Sequence, residues 1–413
     1  MTELDQHPVN LRRLHLAAII VGVLCAVVAI IGAFTNRPQF MNSYLFAYQF
    51  ILGISLGSLA LVMLHHMTGG DWGYCIRRVL EASAMMMPLL TILFLPIFFS
   101  PHLLFPWANP DLFKTDHVMQ IQIERWFNPQ FWRVRAIIYF AVWNVWAMLM
   151  WYGSGKHDRT GDPWLVVRMQ RYSALGLLLF VLTVTGEAVD WMMSREAHWY
   201  STIIGLVISV SMALSGLVTA LAVLRAKRRD PELGAYLTPP RLNDLGNLFL
   251  ALVILWAYMS FAQLLIIWMG NISPDSPWYI RRGFSGDPNA PHGWKAIAAL
   301  LLLCHFFIPF FILLGRVNKR RIETLTMLAI MVLLMRAIDC FWWSGPTSLY
   351  DQPGQKFLTP RSVHWMDFVL PPALFGIWLA AMLTFLRTRP LLARVEQNPY
   401  AEHGVLNDSH AAA

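Results

Sequence analysis

SYLFAYQFILGISLGSLALVMLHHM, residues 43–67, runs for 25 positions without a single Asp, Glu, Lys or Arg. The hydrocarbon core of a bilayer takes about 20 apolar residues per helix, so this stretch predicts a membrane-crossing helix. Runs of the same kind lie at 14–34, 79–100, 131–152, 169–190, 200–224, 244–270, 294–315, 322–343 and 365–387, making ten with 43–67. The composition agrees, with 57% hydrophobic and 14% charged residues, outside the range of a water-soluble core. The 18 tryptophans fit aromatic belts at the two membrane–water interfaces. The expected fold is an all-α polytopic membrane protein with about ten transmembrane helices over 14–395. Tails at 1–13 and 396–413 flank it.

An even number of spans puts both ends on one side, and the cations say which. Of 32 Lys and Arg residues, 20 fall on the N-terminal side and in alternate short loops, and 11 on the opposite face. The positive-inside rule therefore places both tails in the cytoplasm. The long loops 101–130, 271–293 and 344–364, rich in Pro and Trp, are expected outside, in the periplasm of a bacterial inner membrane. The formal charge of +8 does not point to nucleic acid, because the basic residues form short clusters between apolar runs and offer no solvated face to track phosphates. The beginning, MTELDQHPVNLRRLHL, is acidic before it is basic and no A-x-A site follows, so the first apolar run reads as a retained helix.

An internal echo joins two spans. The fifth ends Glu187-Ala188-Val189-Asp190-Trp191 and the ninth Arg336-Ala337-Ile338-Asp339-Cys340, four helices apart on the same face. That spacing predicts a parallel repeat of two four-helix bundles, spans 2–5 and 6–9, with spans 1 and 10 peripheral.

Ionisable groups inside a span are costly and mark pathways or packed polar sites. Glu187 and Asp190 share a helix face, with Asp190 roughly 28 Å from Arg171 at about 1.5 Å per residue. Neighbouring carboxylates resist double ionisation, so one is expected to keep its proton and the pair to pass protons; the plain alternative is two interfacial acids facing water. Arg336 and Asp339 are placed to pair along one helix, as a lock or as part of a proton path. His305 falls near mid-bilayer, and Pro309 cannot donate to its carbonyl, which predicts a kink and a relay or water site. His65 and His66 are adjacent, so they point to different faces and make no bis-histidine haem site. Glu81 reads as a surface ion pair with Arg77 and Arg78, and His364 with Asp367 as interfacial. Tyr44, Tyr48, Gln49, Tyr258 and Gln263 could supply donors to a quinone headgroup in an apolar slot, with Tyr48, Gln49, Tyr258 and Gln263 as the candidate contacts; polar packing between helices is the plain alternative. Gly53 and Gly57 form a G-x-x-x-G that reads as close helix packing. The four cysteines (Cys25, Cys75, Cys304, Cys340) lie far apart with no C-x-x-C or C-x-x-C-H, so no cluster, structural zinc or covalent haem is expected.

Three stretches carry a resemblance: WAYMSFAQLLIIWMGN at 256–271, SYLFAYQF at 43–50 with Gly57 and Ser58, and TGGDWG at 68–73. Together they resemble the smaller NrfD/PsrC-like membrane subunit of alternative complex III, the ActF type, over about residues 14–395. The resemblance implies a cofactor-free subunit of a quinol:cytochrome c oxidoreductase, with quinone or quinol as candidate ligand. The implied partners are a larger NrfD-like membrane subunit, a periplasmic iron–sulfur subunit, haem c subunits and, as a further candidate, a terminal oxidase. The implied bundle polar groups here are Glu187, Asp190, His305, Arg336 and Asp339. The function expected is quinol-linked proton transfer and anchoring in respiratory electron transport; a purely structural scaffold and a stand-alone secondary transporter are the alternatives.

Overall fold

Ten helices among the described residues are long and apolar enough to cross a membrane: Arg12–Thr35, Arg37–Thr68, Arg77–Phe99, Pro129–Thr160, Pro163–Arg195, Ile204–Arg225, Pro239–Gly270, Gly293–Leu314, Ile322–Ser344 and Met366–Leu386. They are the first to tenth spans below. The computed structural model describes residues 9–109, 111, 114, 116–196, 199–227, 231–270, 276–284, 292–345 and 363–392. Most of both tails, and much of the long loops at 271–293 and 344–364, lie outside those residues. No strand occurs among the described residues.

Local signals set the helix ends. Asn128 caps the fourth span by accepting from Gln130 N at 2.9 Å, and Pro129 follows at the first turn, where its missing N–H costs nothing. The same span ends at Gly161, whose φ of +66° only glycine adopts freely. Asp162 then caps the fifth span through Trp164 N at 2.9 Å. The helices overshoot the apolar runs because these caps, not the bilayer edge, stop them.

The second span is buried on every side through its centre and organises the rest. The third, fourth and fifth pack with it as one group; the seventh and ninth pack with the sixth as another, and the eighth closes that group against the seventh and ninth. The groups are joined where the second span meets the sixth, and there the backbones touch: a Cβ on Gly57 would lie 1.6 Å from Met212 O, and one on Gly216 2.5 Å from Ser58 N. Gly57 of the G-x-x-x-G is thus a close-packing glycine, while Gly53 has only an ordinary contact, 3.5 Å from Met212 Cγ. The fifth span leans on the sixth and the ninth on the second, the reciprocal arrangement a parallel repeat requires.

The first and tenth spans pair outside both groups, crossing where Gly22 meets Gly376. The tenth is less peripheral than expected. It lies along the second span, with Trp378 fully buried and donating to Ser55 Oγ at 2.8 Å. Asp367 at its start is buried rather than interfacial and accepts from Ser43 Oγ at 2.5 Å. The tryptophans also depart from a simple belt: Trp107, Trp132, Trp143, Trp191 and Trp378 are all fully buried in the protein.

Two spans are irregular at their prolines. The third breaks into Arg77–Ala84, Met87–Leu93 and Leu95–Phe99, with Pro88 and Pro96 in the first turns of the later pieces. Carbonyls near the second break are met from the second span: Tyr44 Oη donates to Leu93 O at 2.6 Å and Tyr48 Oη to Leu90 O at 3.0 Å. The eighth carries a π-helix at Leu301–Phe307, immediately before Pro309. The seventh, repeat counterpart of the third, is continuous over Pro239–Gly270.

Candidate functional site

The acids of the fifth and ninth spans face inward. Glu187 and Asp190 are 0% exposed and Asp339 is 1% exposed, which removes the reading of interfacial acids facing water. A π-helix over Ala188–Met192 widens the fifth span just past Glu187, and the two acids end up with different neighbours.

Asp190 is locked. Its Oδ2 accepts from Arg135 Nε at 2.8 Å and Tyr139 Oη at 3.0 Å, and its Oδ1 from Arg135 Nη2 at 2.7 Å and Trp126 Nε1 at 3.1 Å. Arg135 Nη1 donates to Trp126 O at 2.9 Å, and the guanidinium sits over the Trp126 and Phe131 rings. A bidentate pair in which every guanidinium nitrogen is used is a fastening. Reading along the sequence missed Arg135 and Tyr139, which the fourth span supplies. Their i,i+4 spacing, with an arginine inside an apolar run, is the signal that could have found them.

Glu187 is the opposite case. Gln49 Nε2 donates to its Oε1 at 2.6 Å, and its Oε2 finds no hydrogen-bond partner. No cation pairs with it among the described residues. Glu187 can therefore change protonation without breaking an ion pair, and Asp190 cannot. The expected carboxylate pair is instead one fastened acid and one isolated acid. Around them stands an aromatic wall in which Trp191 stacks on Phe94 at 4.4 Å and Phe94 meets Tyr48 at 5.6 Å. Phe94 also lines an apolar groove of about 350 Å³ between the third and fourth spans, with Leu95, Phe98, Ile137 and Phe140.

The second group repeats the theme with different partners. Arg336 donates to Asp339 and, through Nε, to Ser215 Oγ at 3.1 Å on the sixth span. His305 lies inside the π-helix of the eighth span, 0% exposed, its ring 4.0 Å from that of Trp256. Neither of its ring nitrogens has a hydrogen-bond partner.

The four residues expected at a quinone headgroup do not form one slot. Tyr48 and Gln49 lie in the first group beside Glu187, already bonded as described. Gln263 accepts from Ser201 Oγ at 2.5 Å, and Tyr258 is 66% exposed on the outer surface of the seventh span. A donor on an outward face cannot close an internal pocket.

On the basic face a second buried cluster replaces the expected surface pair. Glu81, 1% exposed, accepts from Arg77 Nε at 3.0 Å and Arg78 Nη1 at 2.6 Å. Arg78 also donates to Ser154 Oγ at 2.7 Å and to Asp158, and Arg77 Nη2 lies 3.2 Å from His66 Nε2. Arg389, beyond the tenth span, reaches within 3.6 Å of Glu81 and stacks on Trp151 at 3.5 Å. Burial holds its guanidinium below the usual value, opposed by Glu81. His65 and His66 are both buried, and His65 Nε2 lies 3.0 Å from Gly70 O.

Fold and buried polar groups together define an all-α, multi-pass membrane protein. No family model and no curated protein matches the chain.

Proposed function

We propose that this chain is a bacterial inner-membrane subunit of a quinol:cytochrome c oxidoreductase of the alternative complex III type. In this reading both termini are cytoplasmic, and the subunit carries protons released on quinol oxidation while anchoring haem- and cluster-bearing partners. The stretches that bear the resemblance, the excess of cations on one face and the buried polar groups of both bundles support it. One observation carries it: Glu187, buried beside Gln49, has one carboxylate oxygen unused and no cation opposite among the described residues. A quinol gives up two protons with its two electrons, and a carboxylate within an apolar slot can take a proton from the quinol hydroxyl while the electrons leave through partner subunits. The lipid-open groove that ends on Phe94 suits a quinol tail. Asp190, Arg135, Arg336 and Asp339 set the charge around the path, and His305 relays or holds water in the second bundle.

Glu187→Gln in the assembled complex tests this reading, because the amide still accepts from Gln49 but cannot take up a proton. Quinol turnover and proton release should fall by about 100-fold, the lower end for loss of an acid–base group. Unchanged turnover with unchanged proton release would sink it. The scaffold reading is favoured by the two fastened pairs, Asp190–Arg135 and Asp339–Arg336. It requires Glu187→Gln to be silent while changes at the pairs reduce assembly. Purification in mild detergent separates both from a transporter, which would come without haem-bearing partners.

A further inference from the structure

A second groove, of about 490 Å³, lies on the outer surface between the fourth and fifth spans, lined by Val145, Met148, Leu149, Tyr152, Gly153, Leu165, Met169 and Tyr172 and headed by Lys156 and Arg168. Its walls are apolar and open sideways, as suits a surface against hydrocarbon. From Val145 to Lys156 is 11 residues of helix, about 16 Å at 1.5 Å per residue. That is one leaflet, half of a hydrocarbon core of about 30 Å. Gly153 forms part of the floor, where a Cβ would press on Met169 Sδ at 3.1 Å. Tyr152 and Tyr172 are exposed beside the headgroup end.

The cations at the head of the groove are unspent. Asp158 is taken by Arg78 and Asp162 by its cap on Trp164, and neither Lys156 nor Arg168 has a side-chain ion pair or hydrogen bond among the described residues. Both side chains are exposed, and Arg159 and Arg171 stand exposed nearby on the same two helices. We propose that this groove is a binding site for an anionic phospholipid of the leaflet on the basic face. Its acyl chain lies along Val145, Leu149 and Met169, and its phosphate sits between Lys156 and Arg168. A protein partner would need acidic side chains to reach the same cations from within the membrane edge, whereas a lipid phosphate is already at that depth.

The test uses the full chain with whatever partners copurify, delipidated in mild detergent and given a cardiolipin or phosphatidylglycerol, phosphatidylcholine, or inorganic phosphate. Retained lipid is then read by native mass spectrometry. The anionic lipid should be retained selectively, and phosphate and phosphatidylcholine should not compete. Lys156→Gln with Arg168→Gln should weaken retention about 30-fold, from about fivefold per cation held near an anionic surface. Arg320→Gln with Arg321→Gln, on the same face but outside the groove, should leave retention unchanged. Equal retention of phosphatidylcholine, competition by phosphate alone, or equal losses in the two double variants would overturn the assignment. The substituted side chains are exposed and unpaired, so an unaltered melting profile in phosphatidylcholine is expected to show that folding is intact.

Discussion

Asp190→Asn is the substitution that most directly asks what the Asp190–Arg135 pair does. The carboxylate accepts four hydrogen bonds, two on each oxygen, from Arg135, Tyr139 and Trp126. An amide of the same size can keep the two on its oxygen, but its NH2 then meets Arg135 donor to donor whichever way it is turned. It also leaves a guanidinium that is only 6% exposed without a countercharge. Breaking one side of such a pair costs ~3–5 kcal/mol. At the lower figure the folded fraction drops more than 100-fold relative to the unfolded, since 1.4 kcal/mol is about a factor of ten. Neutralising both partners as Arg135→Met with Asp190→Asn leaves no orphan charge and should restore most of the loss, within about 1 kcal/mol of the parent. Unfolding by SDS in mixed micelles, followed by circular dichroism, measures all four corners of the cycle. A single variant within about 0.5 kcal/mol of the parent, in the range of an ordinary surface change, would refute the reasoning. So would a double variant as damaged as the sum of its parts.

The backbone contact between the second and sixth spans predicts that Gly57→Ala loses about 3 kcal/mol through overpacking, with Gly53→Ala close to neutral; thermal melts of the two side by side decide it. Glu81→Gln should cost about 3 kcal/mol by removing the buried carboxylate that Arg77 and Arg78 share, read as loss of folded protein in detergent. His305→Phe keeps the ring against Trp256 and removes two nitrogens that have no partner. Its stability should match or exceed the parent by up to about 1 kcal/mol, so any defect it shows in proton release is chemical.

The number and placement of the spans were legible because hydrocarbon imposes one length and one composition on every helix that crosses it. The echo between residues 187–191 and 336–340 was legible too, as identity of residues at matching depth. What a carboxylate faces was not. Asp190 meets Arg135 from a helix 55 positions away, and the arginine's place in an apolar run marks it as buried without naming the acid it pairs with. Glu81 looked like the acid of a solvated i,i+4 pair, since spacing along a helix is the same whether the face meets water or four other spans. Tyr258 shows the reverse error: a polar tip on an apolar helix suggested an inward donor, yet it lies on the outer surface. The kink expected beside Pro309 rested on a missing N–H, a property of one residue, and a π-helix stands there.

Where Gly57 and Gly216 bring two backbones together, there is no side chain left to slide, compress or change rotamer. The halves of the protein are pinned at that crossing as the blades of scissors are at their rivet. At that depth no aqueous passage fits between them. A proton route that crossed the seam would have to do so above or below that rivet, because two touching backbones leave no room for water between them.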